Sequence, residues 1–219
     1  GNTDNAFALN STTGALTVAN SNALNSTSVF SLIVKVTDNG PGNLFSQATI
    51  TINVTDVNQP PQISNQTFSI AENSPNGQQV GIVVATDPDA GQTLTYSIVS
   101  GNTNNAFQIN ASTGAWSVNN TTALNFEVTP SFGLVIKVQD NGAGSLFAQA
   151  TVTVNLTNVN ENPNISNQTF SVPESSPNGT QVGVVIATDP DNGQSLTYSI
   201  LSGNTDNAFA LNSTTGALT

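Results

Sequence analysis

Cysteine and histidine are both missing from the 219 residues, and two basic side chains stand against thirteen acidic ones, for a net charge of −11. Without cysteine there are neither disulfides nor thiolate metal sites. Without histidine, zinc, copper and ordinary acid–base catalysis lose their usual ligands and proton carriers, which argues against an enzyme. The surplus of negative charge repels phosphate backbones and anionic lipid surfaces, so nucleic acid is excluded as a partner. No apolar run approaches the ~20 residues that cross a bilayer, so this segment has no direct membrane insertion. Asn, Ser, Thr and Gly fill the places where Lys and Glu normally sit, a composition common in extracellular repeat proteins.

Repetition is what the chain has in abundance. GNTDNAFALNSTTGALT occupies residues 1–17 and again 203–219, with an imperfect copy, GNTNNAFQINASTGAWS, at 101–117. PPQISNQTFSIAENSPNG from Pro60 returns as NPNISNQTFSVPESSPNG from Asn162. A period near 100 residues is too long for a solenoid unit and suits a self-contained domain. The expected organisation is the C-terminal half of one module in 1–58, a complete module in 59–160 and the N-terminal half of a further module in 161–219. These belong to a longer array whose larger unit is 202 residues, so that neither end is expected to be a natural terminus. The competing explanation is that the two halves complete one another between molecules.

Period-two alternation sets the fold. In SFGLVIKVQD, Phe132, Leu134, Ile136 and Val138 face one way; in ATVTVNL, Ala150, Val152, Val154 and Leu156 do. TFSI, VGIVVAT, LTYSI and a hairpin turning at Ser112-Thr113-Gly114 precede them. About seven strands in about 100 residues make an all-β chain of tandem immunoglobulin-like Greek-key β-sandwiches, extended as an array. Trp116 is replaced by Leu16 and Leu218 in the other copies and is expected in the core.

The acidic residues carry the functional signal. Eleven of the thirteen fall into five recurring settings at strand ends and connections. These are Glu72 and Glu174; the triplets Asp87-Pro88-Asp89 and Asp189-Pro190-Asp191; Glu127; the DNG aspartates Asp38 and Asp140; and the connecting segments with Asp56 and Glu161. Asp4 and Asp206 are replaced by Asn104 in the middle copy, which argues for a turn-forming role.

AENSPNG at 71–77, ATDPDAGQTLTYSI at 85–98, LNFE at 124–127, IKVQDNG at 136–142 and TDVNQPP at 55–61 resemble the motifs of the cadherin family, in the family's order and over essentially the whole chain. In cadherins these motifs gather calcium ions between successive modules. The resemblance therefore implies calcium ligands at Asp38, Asp56, Asn58, Glu72, Asp87, Asp89, Glu127, Asp140, Asn160, Glu161, Glu174, Asp189 and Asp191. The chemistry agrees, because calcium takes six to eight hard oxygens and the chain offers carboxylates, amides and carbonyls but no soft donors. Departures from the family pattern set the expected ion count. LNSTS at 24–28 lacks the Glu of LNFEV and Gln59 stands where a second linker Asp belongs, so one good site is expected among Asp56, Asn58, Asp87, Asp89 and Asp140. Two or three ions are expected where Glu72, Glu127, Glu161, Asp189, Asp191 and Asn160 meet.

The function implied is mechanical: a calcium-stiffened stalk or filament segment of a cell-surface adhesin, outside the cell. Its partners are neighbouring modules, with like chains and surface glycans as further candidates. Direct adhesion and a carbohydrate- or ice-binding array remain the alternatives. Near-identical copies without disulfides point to a large bacterial or archaeal surface protein.

Overall fold

The computed structural model describes all 219 residues, divided into two compact units, Gly1–Gln59 and Pro60–Thr219. Strands and short 3-10 turns account for the regular structure in both.

In the first unit, β1 (Phe7–Leu9) pairs with β2 (Leu16–Val18) and β3 (Val29–Thr37) with β4 (Phe45–Asn53), both antiparallel. A small core of Ala6, Phe7, Ala23, Phe30 and Leu32 joins the two hairpins. Phe7 meets Phe30 edge to face at 5.1 Å.

The second unit holds a full sandwich, built from β5 (Gln66–Ala71), β6 (Gln79–Ile82), β7 (Thr95–Ser100), β8 (Phe107–Ile109), β9 (Ala115–Val118), β10 (Ser131–Gln139) and β11 (Phe147–Thr157). One sheet runs β5-β11-β10-β7, with β5 parallel to β11; the other runs β6-β9-β8. The alternation expected for β10 and β11 holds: Phe132, Leu134, Ile136, Val138, Val152, Val154 and Leu156 are buried together. Trp116 is a core residue, 1% exposed, edge-on to Phe68 at 5.1 Å and tilted against Phe107 at 5.3 Å. Truncating such a side chain typically costs about 3–5 kcal/mol.

Asn110 shapes the hairpin before Trp116 by accepting the N–H groups of Ser112 and Thr113. Gly114 then turns the chain at φ 68° with its α-carbon close under the Val83 carbonyl, where a β-carbon would lie 2.5 Å from that oxygen. Asp4, Asn104 and Asp206 all adopt left-handed backbone, φ 53–55°, which is the turn-forming role their interchange implies.

Beyond residue 163 the strands are short: β12 (Asn164–Ile165) pairs with β14 (Ala187–Thr188), and β13 (Gly183–Val184) with β15 (Ala217–Leu218). TFSV at 169–172 and TYSI at 197–200, which repeat β5 and β7, form no strand. In the sandwich those two strands take their backbone hydrogen bonds from β11 and β10. Residues 203–219 repeat β8 and β9, not β10 or β11, and the Tyr198 N–H bonds the Ser213 carbonyl at 2.9 Å instead.

Candidate metal centre

The end of β5 starts the site. Glu72 follows it directly, its N–H bonded to the Thr157 carbonyl at the end of β11, and its side chain turns inward to 2% exposure. Its Oε2 accepts the N–H of Phe126 and its Oε1 the N–H of Val159, each at 2.8 Å. One carboxylate thus holds both the LNFE loop and the segment leaving β11. Asn73, in left-handed backbone at φ 56°, reaches Glu161 Oε1 with its amide at 2.9 Å.

Across from Glu72, the Glu161 N–H donates to Asp191 Oδ2 at 2.8 Å, and the Asp191 N–H donates to Asp189 Oδ1 at 2.9 Å. Asn160 accepts Gln194 Nε2 through its Oδ1. Carboxylate oxygens of Glu72, Glu127 and Glu161 lie within 4.8 Å of one another. Both oxygens of Glu127, Oε2 of Glu161 and Oδ1 of Asp191 are buried with no hydrogen-bond partner. Burial pushes the Glu127 carboxyl above its ordinary value; its own backbone amide opposes this, and the charges of Glu72, Glu161 and Asp191 add to the rise.

These orphaned oxygens fit a hard divalent cation. At 4.8 Å, two charges such as those of Glu72 and Glu161 repel by about 3.5 kcal/mol at an effective dielectric of roughly 20. The chain's amines are engaged elsewhere: Lys137 Nζ bonds Gln139 Oε1 and sits over the Phe147 ring, and Lys35 lies over Phe45. Two oxygens each about 2.4 Å from one calcium ion are at most about 4.8 Å apart, so the glutamate oxygens, all within 4.8 Å of one another, are close enough to share one ion.

The Asp89 N–H donates to Asp87 Oδ1 at 2.8 Å, and Asp87 Oδ2 is buried without a hydrogen-bond partner. Asp89 and Asp140 are buried, and Asp140 Oδ1 closes its DNG turn on the Gly142 N–H. Asp38, in the first unit, is exposed and spends Oδ1 on the N–H groups of Gly40 and Leu44. Asp56 is exposed and Asn58 half-buried in the same unit, and Glu174 is exposed in the second. Asp38, Asp56 and Glu174 do not join the Glu72–Glu127–Glu161 cluster. Asn73 and Gln194 are site residues that motif reasoning passed over. Asn73 was readable as the residue after Glu72 in AENSPNG, and Gln194 as the repeat of Gln92 after the DPD triplet.

A family model for the cadherin domain matches residues 66–157 and 168–219. The chain belongs to the cadherin family. Among curated relatives of this cadherin segment, protocadherin-11 X-linked of Sus scrofa is 32% identical over 224 residues, 97% of this chain and 20% of that protein. Protocadherin Fat 1 of Homo sapiens is 32% identical over 223 residues, 97% of this chain and 5% of its own length. The chain therefore spans a fifth or less of these relatives.

Mouse cadherin-23 EC22-24 is similar in structure at TM-score 0.72 and 26% identity, over 94% of this chain and 68% of that one. Human CDH23 EC21-23 matches at TM-score 0.74 and 28% identity, over 97% and 70%. The protocadherin gammaB7 EC3-6 cis-dimer structure matches at TM-score 0.68 and 26% identity, over 99% and 58%. As a cadherin repeat segment the chain is an extracellular β-sandwich protein and not an enzyme. Cadherin domains generally bind calcium.

Proposed function

We propose that this segment is a calcium-rigidified stalk or filament piece of a cell-surface adhesin. The observation that carries it is the set of orphaned buried oxygens on Glu127, Glu161 and Asp191, facing a carboxylate cluster that no lysine reaches. Glu72, Glu127, Glu161 and Asp191, with Asp189 and Asn160 beside them, are the residues that would hold the ion. They come from the LNFE loop, the end of β5, the connecting residues 160–163 and the DPD triplet of the following repeat. A cation bound to all four places would fix the direction in which the next module leaves the sandwich of 59–160. Sites of this kind in extracellular modules bind at roughly 0.1–1 mM, suited to a calcium-rich exterior. Residues 1–17 and 203–219 are identical and the chain lacks cysteine, which favours a large microbial surface array made by recent duplication. Neighbouring modules and like chains are the partners.

Calorimetric titration of the 219-residue chain should show calcium binding whose stoichiometry falls in Glu127→Gln with Asp191→Asn, and hydrogen exchange at residues 158–163 should slow when calcium is added. Exchange at that connection indifferent to calcium would sink the stalk role.

A further inference from the structure

Asn-Gly, a dipeptide that sets a side-chain amide next to an unhindered backbone nitrogen, occurs at 39–40, 76–77, 141–142, 178–179 and 192–193. Glycine lets its nitrogen approach the preceding side chain because no β-carbon stands in the way. In the complete module both reacting groups are held. Asn76 Oδ1 accepts the Thr121 N–H at 2.7 Å and the Thr121 hydroxyl at 2.8 Å, while the Gly77 N–H donates to the Val118 carbonyl at 2.8 Å. Asn141 Oδ1 accepts the Thr93 N–H at 2.9 Å, and the Gly142 N–H donates to Asp140 Oδ1 at 3.1 Å. Asn178 repeats Asn76, and Asn39 repeats Asn141.

Asn192 is placed differently. It stands in the turn after the second DPD triplet, where the complete module has Ala90. Ala90 and Asn192 are both exposed, and a β-carbon on Gly91 or on Gly193 would meet nothing within 4 Å, so the open surroundings belong to the repeat itself. Neither the Asn192 amide nor the Gly193 N–H takes part in a hydrogen bond. The residues on either side are committed: Asp191 Oδ2 accepts the Glu161 N–H at 2.8 Å, and Gln194 Nε2 donates to Asn160 Oδ1. A short turn therefore carries one reactive pair between two grips on the connecting segment.

We propose that Asn192 is a self-modification site, where the chain converts its own amide to a carboxylate and thereby loosens its hold on residues 160–161. The Gly193 nitrogen bonds to Asn192 Cγ and gives up its proton to solvent. The Cγ–Nδ2 bond breaks, its nitrogen leaves as ammonia, and a five-membered imide remains. Water then opens the ring. Cleavage between Cγ and the Gly193 nitrogen yields aspartate; cleavage between the Asn192 α-carbonyl and that nitrogen yields isoaspartate, whose main chain runs through the β-carbon. One amide and one water become one carboxylic acid and one ammonia, with no oxidant or cofactor. Isoaspartate inserts a main-chain atom between Asp191 and Gln194, so the two grips fall out of register with Glu161 and Asn160. Either product adds a negative charge to a turn that already carries Asp189 and Asp191.

The test ages the full chain in mildly alkaline buffer with chelator, so that the outcome does not depend on a bound ion. Mass spectrometry of pepsin peptides reads amide-to-acid conversion at each Asn-Gly, and an isoaspartyl methyltransferase labels the isoaspartate. Asn192 should convert at least about ten times faster than Asn76 and Asn141, whose hydrogen bonds must open first. Hydrogen exchange of the Glu161 N–H should speed up in the aged parent and stay constant in aged Asn192→Ala, which carries the residue that the complete module has at this place. Conversion at Asn192 no faster than at Asn76 and Asn141 overturns the site. Unaltered exchange of the Glu161 N–H in isoaspartate-containing chains overturns the loosening.

Discussion

Glu72 Oε1 accepts the backbone N–H of Val159 at 2.8 Å, tying together points 87 residues apart in the chain. With Phe126 on the other oxygen, the carboxylate is a structural clasp before it is a ligand. Glu72→Ala leaves two part-buried amides without their acceptor and should cost about 1–3 kcal/mol in metal-free buffer. Glu72→Gln, which keeps one acceptor oxygen, should cost less. Guanidinium unfolding followed at Trp116 measures both, and equal stability of Glu72→Ala and the parent would disprove the clasp.

Glu127 should behave in the opposite sense. Neither of its oxygens has a partner, and Glu72, Glu161 and Asp191 repel it. Glu127→Gln is expected to raise the melting temperature in chelator and to weaken calcium binding. The parent should overtake the variant as calcium is added, and thermal melts at both extremes will show the crossing.

The same group predicts a pH dependence. Its folded-state value is raised above the ordinary 4.5, so the folded protein holds this proton more tightly than the unfolded chain. The associated stability is complete below pH 4.5 and is lost as pH climbs through the raised value. Metal-free melting temperature should therefore fall across that window, and Glu127→Gln should flatten the fall. A rising profile in the parent would contradict the assignment.

Gly101 and Gly203 offer a matched pair. Both have left-handed backbone, φ 80° and 83°, but only Gly101 abuts a strand carbonyl. Gly101→Ala should destabilise the central sandwich by more than about 2 kcal/mol, combining backbone strain with overlap. Gly203→Ala, whose β-carbon would meet nothing within 4 Å, should leave the Trp116 unfolding midpoint where it was, and equal shifts for the two variants would contradict the difference in packing.

Much of the architecture was legible because β10 and β11 alternate without interruption, and a half-buried strand has no other pattern available to it. The DPD triplets and Glu72 were legible as strand-end carboxylates. What escaped was set by partners remote in sequence. TYSI at 197–200 has the same letters as β7 yet no strand forms, because a strand is a property of two segments. Asp38 and Asp140 share a motif, but one is exposed and the other buried. Asn73 acquires its role only because Glu161 arrives beside it from 88 residues away.

Lys35 and Lys137 are the only basic side chains, and both sit mid-strand with their amines over aromatic rings. Trypsin-like enzymes cut after basic residues, so they have just two targets here, each in a β-ladder that must open before it can enter an active site. A surface built from Asn, Thr and Ser with its few cations laid flat on Phe45 and Phe147 is thereby ill-suited to digestion by that whole class of secreted enzyme.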